Sequence, residues 1–162
     1  MGILFAGSEV VDICIEIEKN GGMFYHVLAE SAQEEEVRKL ALYLEGEEKR
    51  HQATFEKLRS TLKGYRPVES YPGEYELYMK ALADERVFTS DTVVEEMAGK
   101  AQTDVEALTI AIGFEKDSIL FLHEMHDLVP KSECGTMDTL VKEEKSHLRQ
   151  LSEIKRKQLE AD

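Results

Sequence analysis

Cysteine is scarce in these 162 residues: Cys14 and Cys134 are the only two, and they form no Cys-x-x-Cys pair. That spacing supplies neither a four-cysteine iron site nor a disulfide framework. Cys14 falls on an apolar stripe and reads as a small core residue. Positive charge is in the minority, with 20 Lys and Arg against 33 Asp and Glu. The net charge of −13 argues against nucleic acid or an anionic membrane surface as the main partner. No apolar run approaches the length that crosses a membrane. The start, from Met1 to Glu9, lacks the basic segment and long apolar run of a signal peptide, so a cytoplasmic location is expected. Proline is sparse as well, and Pro67, Pro72 and Pro130 all fall where a helical pattern stops.

What is present suits a helical protein. Apolar residues at 42% and charged residues at 33% are ordinary for a soluble, helix-rich chain, and the length fits one domain over 1–162. Apolar positions recur at helical spacing in four stretches, about 8–31, 35–63, 103–129 and 136–159. A polar link at Ala32-Gln33-Glu34 makes the first two helices antiparallel neighbours. Gly21-Gly22 inside the first implies a kink or a close helix approach. Thr103-Asp104-Val105-Glu106 is a capping-box pattern opening the third. Residues 64–102 are too long for a hairpin loop and too polar to enclose their own core. They read as a crossover holding short helices near 74–83 and 92–100, the latter capped by Ser90 or Asp91. The fold class is therefore all-α, a four-helix bundle with a long helical crossover between its second and third helices.

Each stripe is interrupted by acid. The second runs Val37, Leu40, Ala41, Leu44, Glu48, His51, Phe55, Leu58 and the fourth Met137, Leu140, Val141, Glu144, His147, Leu151. Both carry Glu-Glu-Lys-x-His, in which Glu48/His51 and Glu144/His147 lie three residues apart and share a helix face. The first stripe (Val11, Cys14, Ile15, Glu18, Gly22, Tyr25) and the third (Leu108, Ala111, Ile112, Glu115, Ile119, Leu122) each hold one inward glutamate. The two halves thus repeat: a helix with one inward Glu, then a helix with an inward Glu-x-x-His. Packed about an approximate two-fold, they bring Glu18, Glu48, His51, Glu115, Glu144 and His147 into one core.

Uncompensated carboxylates are too costly to bury, and two divalent cations would neutralise four of them. Oxygen and imidazole ligands without thiolates suit iron or manganese rather than structural zinc. This set is the established ligand pattern of ferritin-like di-iron and di-manganese bundles. By symmetry Glu48 and Glu144 bridge the metals, Glu18 and Glu115 are terminal ligands, and His51 and His147 cap one metal each. Tyr25, on the stripe of Glu18, could hydrogen-bond a ligand but reads first as a core tyrosine with a satisfied hydroxyl. His26 and His123 lie off the stripes and are expected to be exposed, and His126 is too far along its helix from Glu115 to join the site.

Over essentially its whole length the chain resembles the rubrerythrin-like branch of the ferritin-like superfamily. The resemblance is carried by Glu18-Lys19-Asn20-Gly21 with Phe24-Tyr25, by Glu48-Lys49-Arg50-His51, by Phe114 to Phe121, and by Glu144-Lys145-Ser146-His147. It implies two iron ions, with manganese or a mixed pair as the variants, and a redox function: reduction of hydrogen peroxide or oxygen. The alternative it leaves is a non-catalytic, iron-binding or iron-storage protein. Rubrerythrins proper carry a four-cysteine iron domain that feeds electrons to the site; with no such set here, an external electron-donor protein is implied. They also tend to carry a further carboxylate three residues beyond the third-helix Glu, where this chain has Ser118. A ligand exchange relying on that carboxylate is then unavailable, and His51 stays bound in both oxidation states. A homodimer paired through an exposed helix face is expected, with Ile3-Leu4-Phe5 covering a bundle end or a neighbouring subunit.

Overall fold

The computed structural model describes residues 7–68, 71, 73–75, 77–78, 81, 94 and 99–161. Four long helices carry it: α1 (Gly7–Ser31), α2 (Glu35–Thr61), α3 (Asp104–Leu128) and α4 (Cys134–Ala161). The most extensive contacts join α1 to α2 and α3 to α4, and smaller contacts of α2 with α4 and of α1 with α3 close the bundle. Short connections force this pairing, since three residues separate α1 from α2 and five separate α3 from α4. Among the described residues there is no strand, and no helix is long and apolar enough to cross a membrane.

The helix ends follow from local chemistry. Gly64 adopts the left-handed conformation (φ +82°) just beyond α2, a backbone state that favours glycine and ends a helix. The chain then returns to the start of α1, where Gly7 N donates to Tyr65 O at 3.1 Å. Thr103 caps α3 by accepting from Glu106 N at 3.2 Å, but the Glu106 carboxylate closes the box on Gln102 N (2.7 Å) rather than on Thr103 N. The cap of α2 comes from another helix. Asp104, buried at the start of α3, accepts from Gln33 N at 3.0 Å and from Glu34 N at 2.8 Å. One carboxylate thereby satisfies amides that Glu34 leaves uncapped by its own side chain, and it locks the two hairpins in register.

Helix α4 begins earlier than the pattern predicts, because Thr136 N and Met137 N both bond Glu133 O and draw Cys134 and Gly135 into the first turn. Cys14 is buried and Cys134 half-buried, and they form no disulfide. In the crossover, positions 74, 75, 77, 78, 81, 94, 99 and 100 are helical and Val94 reaches the core. The expected cap at Ser90 or Asp91 and the Ile3-Leu4-Phe5 start lie outside the described residues.

The apolar stripes of α2 and α4 pack as their periodicity predicts. That of α3 is rotated: its buried face is Leu108, Ala111, Phe114, Glu115, Ser118, Phe121, Leu122 and Met125, while Ile112 and Ile119 are only partly buried. Helix α3 carries apolar residues outside this face too, among them Ile110, Ile112, Ile119 and Leu120, so period alone does not choose a face, and the large rings take the interior.

Candidate metal centre

All six predicted residues converge in the middle of the bundle. Glu18, Glu48, His51, Glu115, Glu144 and His147 are each at most 2% exposed. Their ligand atoms fall into two sets, Glu18/Glu48/His51/Glu144 and Glu48/Glu115/Glu144/His147, within each of which all atoms lie inside 4.8 Å of one another. Glu48 and Glu144 belong to both. His51 Nδ1 lies 2.9 Å from Glu144 Oε1 and 3.4 Å from Glu18 Oε2. His147 Nδ1 lies 3.0 Å from Glu144 Oε2 and 3.8 Å from both Glu48 Oε1 and Glu115 Oε2. The two oxygens of Glu144 thus face different histidines, whose rings stack 5.5 Å apart.

The electrostatics are those of acids forced together out of water. Burial, reinforced by Glu144 and Glu18, holds the Glu48 carboxyl well above the usual carboxylate range. Burial and then Glu144 do the same to Glu115, against the pull of His147. Burial works the other way on the imidazoles but loses: the adjacent carboxylates of Glu144 and Glu18 push His51 up to about 11, and those of Glu115 and Glu144 push His147 up to about 10. Glu144, between two cations, is held below the ordinary range despite its burial. Without metal, then, protons serve as the cations of the cluster.

Protons satisfy it poorly. Glu18 Oε2, both oxygens of Glu48, Glu115 Oε2, Glu144 Oε1 and His51 Nδ1 are buried without a properly directed hydrogen-bond partner. Buried polar atoms are rarely left so, and the cost of each is about 1–3 kcal/mol. Hard oxygen donors and imidazole nitrogens grouped this way fit divalent iron or manganese.

Several contacts around the cluster were not legible locally. The Tyr25 hydroxyl donates to Glu115 Oε1 across the bundle, so this core tyrosine is satisfied by a residue of the cluster itself. Its phenol is pushed well above its ordinary range by burial and then by Glu115, which keeps the proton in that bond. Glu143 Oε2 meets His51 Nε2 at 3.0 Å, and Glu47 Oε2 lies 3.7 Å from His147 Nε2. The repeat held the signal, since each carboxylate immediately precedes a Glu of a Glu-x-x-His. Ser118 is buried one turn from Glu115 with its hydroxyl unpartnered. His26 and His123 are exposed as expected, and His126 is half-buried beside Asp138, away from the cluster.

Gly21 shows why the first helix carries glycine at its middle. A Cβ there would lie 2.6 Å from Phe114 Cε1 and 3.2 Å from Glu48 Oε2. The Phe114 ring packs edge-on against Tyr25, so it cannot yield without moving the donor to Glu115. Gly21→Ala is expected to destabilise the protein by about 1–3 kcal/mol through overpacking. It should also weaken metal uptake, whereas Gly22→Ala, whose Cβ would meet only Glu48 Cβ at 3.6 Å, is tolerated. Thermal melts and cobalt(II) titrations of the two variants check this.

Residues 9–155 match the rubrerythrin family model. The chain belongs to the rubrerythrin family. Among solved structures, a Thermotoga maritima protein designated ferritin-like diiron-carboxylate is similar at 28% identity, with a TM-score of 0.65 over 94% of this chain and 95% of that one. Comparison with curated proteins gives no match. The fold of this rubrerythrin-family chain is accordingly the ferritin-like four-helix bundle, and its glutamate and histidine clusters sit where the two helical hairpins meet.

Proposed function

We propose that this protein is a di-iron carboxylate redox protein that reduces hydrogen peroxide, or oxygen, with electrons from an external donor. The observation that carries the reading is the pair of buried ligand sets sharing Glu48 and Glu144. Glu18 and His51 would hold one iron ion and Glu115 and His147 the other, with Glu48 and Glu144 within reach of both. Bound iron would supply reversible one-electron chemistry at each of two centres, matching the two electrons that peroxide takes up, with two protons, in becoming two waters.

The chain's own residues set the conditions. Tyr25 holds Glu115 in one orientation through its hydroxyl. The rings of Phe24, Tyr25 and Phe114, packed edge-to-face and fully buried, exclude water on that side. An open cleft of about 350 Å³ between α1 and α2, lined by Glu18, Gly22, Met23, Glu45 and Gln52, would be the approach of a small oxidant to Glu18. With Ser118 in place of a further carboxylate, His51 keeps its position throughout. An external donor protein would supply the electrons.

Stopped-flow mixing of the iron(II)-loaded protein with stoichiometric peroxide tests this. Oxidation much faster than that of free iron(II), followed by recovery when a reductant protein is added, is expected. A rate no faster than free iron(II) would sink the reading. Many irons held per chain after aeration, without a reductive cycle, would identify an iron-storage protein instead.

A further inference from the structure

Each Glu-Glu-Lys-x-His repeat opens with a glutamate that the six-residue cluster does not use. Glu47 and Glu143 cross over: Glu143 of α4 meets His51 of α2, and Glu47 of α2 faces His147 of α4. Both lie on the outer, Nε2, side of the imidazoles, whose Nδ1 atoms face the cluster. Glu143, at hydrogen-bond distance, can only accept there, so it selects the His51 tautomer with the proton on Nε2 and leaves the Nδ1 lone pair for a metal; Glu47, at 3.7 Å, favours the same tautomer of His147 through its charge.

Two carboxylates side by side repel, and one residue stands between them. Arg50 Nη2 lies 2.5 Å from Glu47 Oε2 and 3.2 Å from Glu143 Oε1. The corresponding position in the second repeat is Ser146, so a single guanidinium serves both halves of an otherwise symmetric arrangement. Tyr43 adds to the His147 side, donating to Glu47 Oε2 at 3.3 Å while its ring stands perpendicular to the imidazole. Glu47, His51 and His147 are close enough to be taken for a third metal site. That would require the same imidazoles to bind through both nitrogens, as imidazolates, and the positive charge beside Glu47 is already supplied by Arg50.

We propose that Arg50 is a positioning residue that couples the two metal subsites, holding Glu47 and Glu143 together so that each fixes the imidazole of the opposite hairpin. This rests on the two-metal reading above. It does not depend on redox activity, so zinc(II) is the probe.

In the zinc(II)-loaded, ¹⁵N-histidine-labelled protein, NMR should show two slowly exchanging Nε2–H protons. Glu143→Gln should perturb that of His51, Glu47→Gln that of His147, and Arg50→Ala both. Outer-shell changes of this kind weaken metal binding by roughly tenfold or more, and Arg50→Ala should do so at both sites, with Arg50→Lys restoring much of the loss. Arg50 is about half exposed, so its variants are expected to fold. An Arg50→Ala protein with both protons and both affinities unchanged, or with one subsite alone affected, would overturn the coupling. So would a third zinc(II) bound at the outer carboxylates. A wild-type protein that takes up no zinc(II) pair would overturn the two-metal reading along with it, whereas a failure confined to the variants would overturn the coupling alone.

Discussion

Glu48→Ala is expected to abolish binding of both metal ions, whereas Glu18→Ala costs the chain one. Glu48 belongs to both ligand sets, while Glu18 serves only the set containing His51. Removing a shared ligand leaves each set one donor short and also removes a negative charge that two dications need. Elemental analysis, with cobalt(II) titration of the purified variants, reads the difference directly. Two metals per chain retained in Glu48→Ala would mean that the bridging assignment is wrong. The same residue should show the opposite effect on the metal-free fold. Both Glu48 oxygens are buried without hydrogen-bond partners, so an apolar side chain of similar length relieves a penalty. Glu48→Met should therefore raise the stability of the metal-free protein by about 1–3 kcal/mol while eliminating metal binding. Stability and metal binding oppose each other at this position.

The second large effect is on pH dependence, with opposite signs for the metal-free and metal-loaded forms. His51 and His147 are raised to about 11 and about 10 in the fold, against about 6.5 in an unfolded chain. A group raised on folding contributes stability that is fully present below its unfolded value and is lost as pH climbs through its folded value. Glu48 and Glu115, also raised, act in the same direction from the ordinary carboxylate range upward. Glu144, held low, contributes above its unfolded value and loses that contribution only as the solution becomes strongly acidic. The metal-free protein should thus be most stable in mildly acidic solution and weaken progressively toward pH 10. Metal must displace the protons of His51, His147, Glu48 and Glu115, so its affinity should rise with pH, by about tenfold per unit for each proton displaced. Melts of both forms across roughly pH 5 to 9 should show the gap between them widening. Calorimetry in buffers of different ionisation enthalpy should register proton release, and binding without it would contradict the protonated cluster.

Much of this could be read from residue order because a helix converts short spacing into shared direction. Glu48 and His51, or Glu144 and His147, lie on one face whatever surrounds them, and their apolar neighbours show that the face is inward. Glu18 and Glu115 followed from being single acids within apolar stripes. The repeat then made the pairing of hairpins, and hence the fold class, a consequence of local pattern. The candidate metal site was legible for the same reason, since four inward carboxylates need protons or metal ions to offset their charge.

What only the tertiary structure decided are relations between residues far apart in the chain. The face of α3 was set by the bulk of Phe114 and Phe121 against the other helices, in a segment whose period was ambiguous. The acceptor for Tyr25 lies on α3 and the cap for α2 is Asp104, both about half a chain length away. Likewise the crossed contacts of Glu47 and Glu143, and the guanidinium between them, exist only where α2 and α4 meet. Helical periodicity states which way a side chain points along its own axis. The rotation and height of one helix against the next are set by how whole faces pack, and that fixes which distant residue each side chain meets.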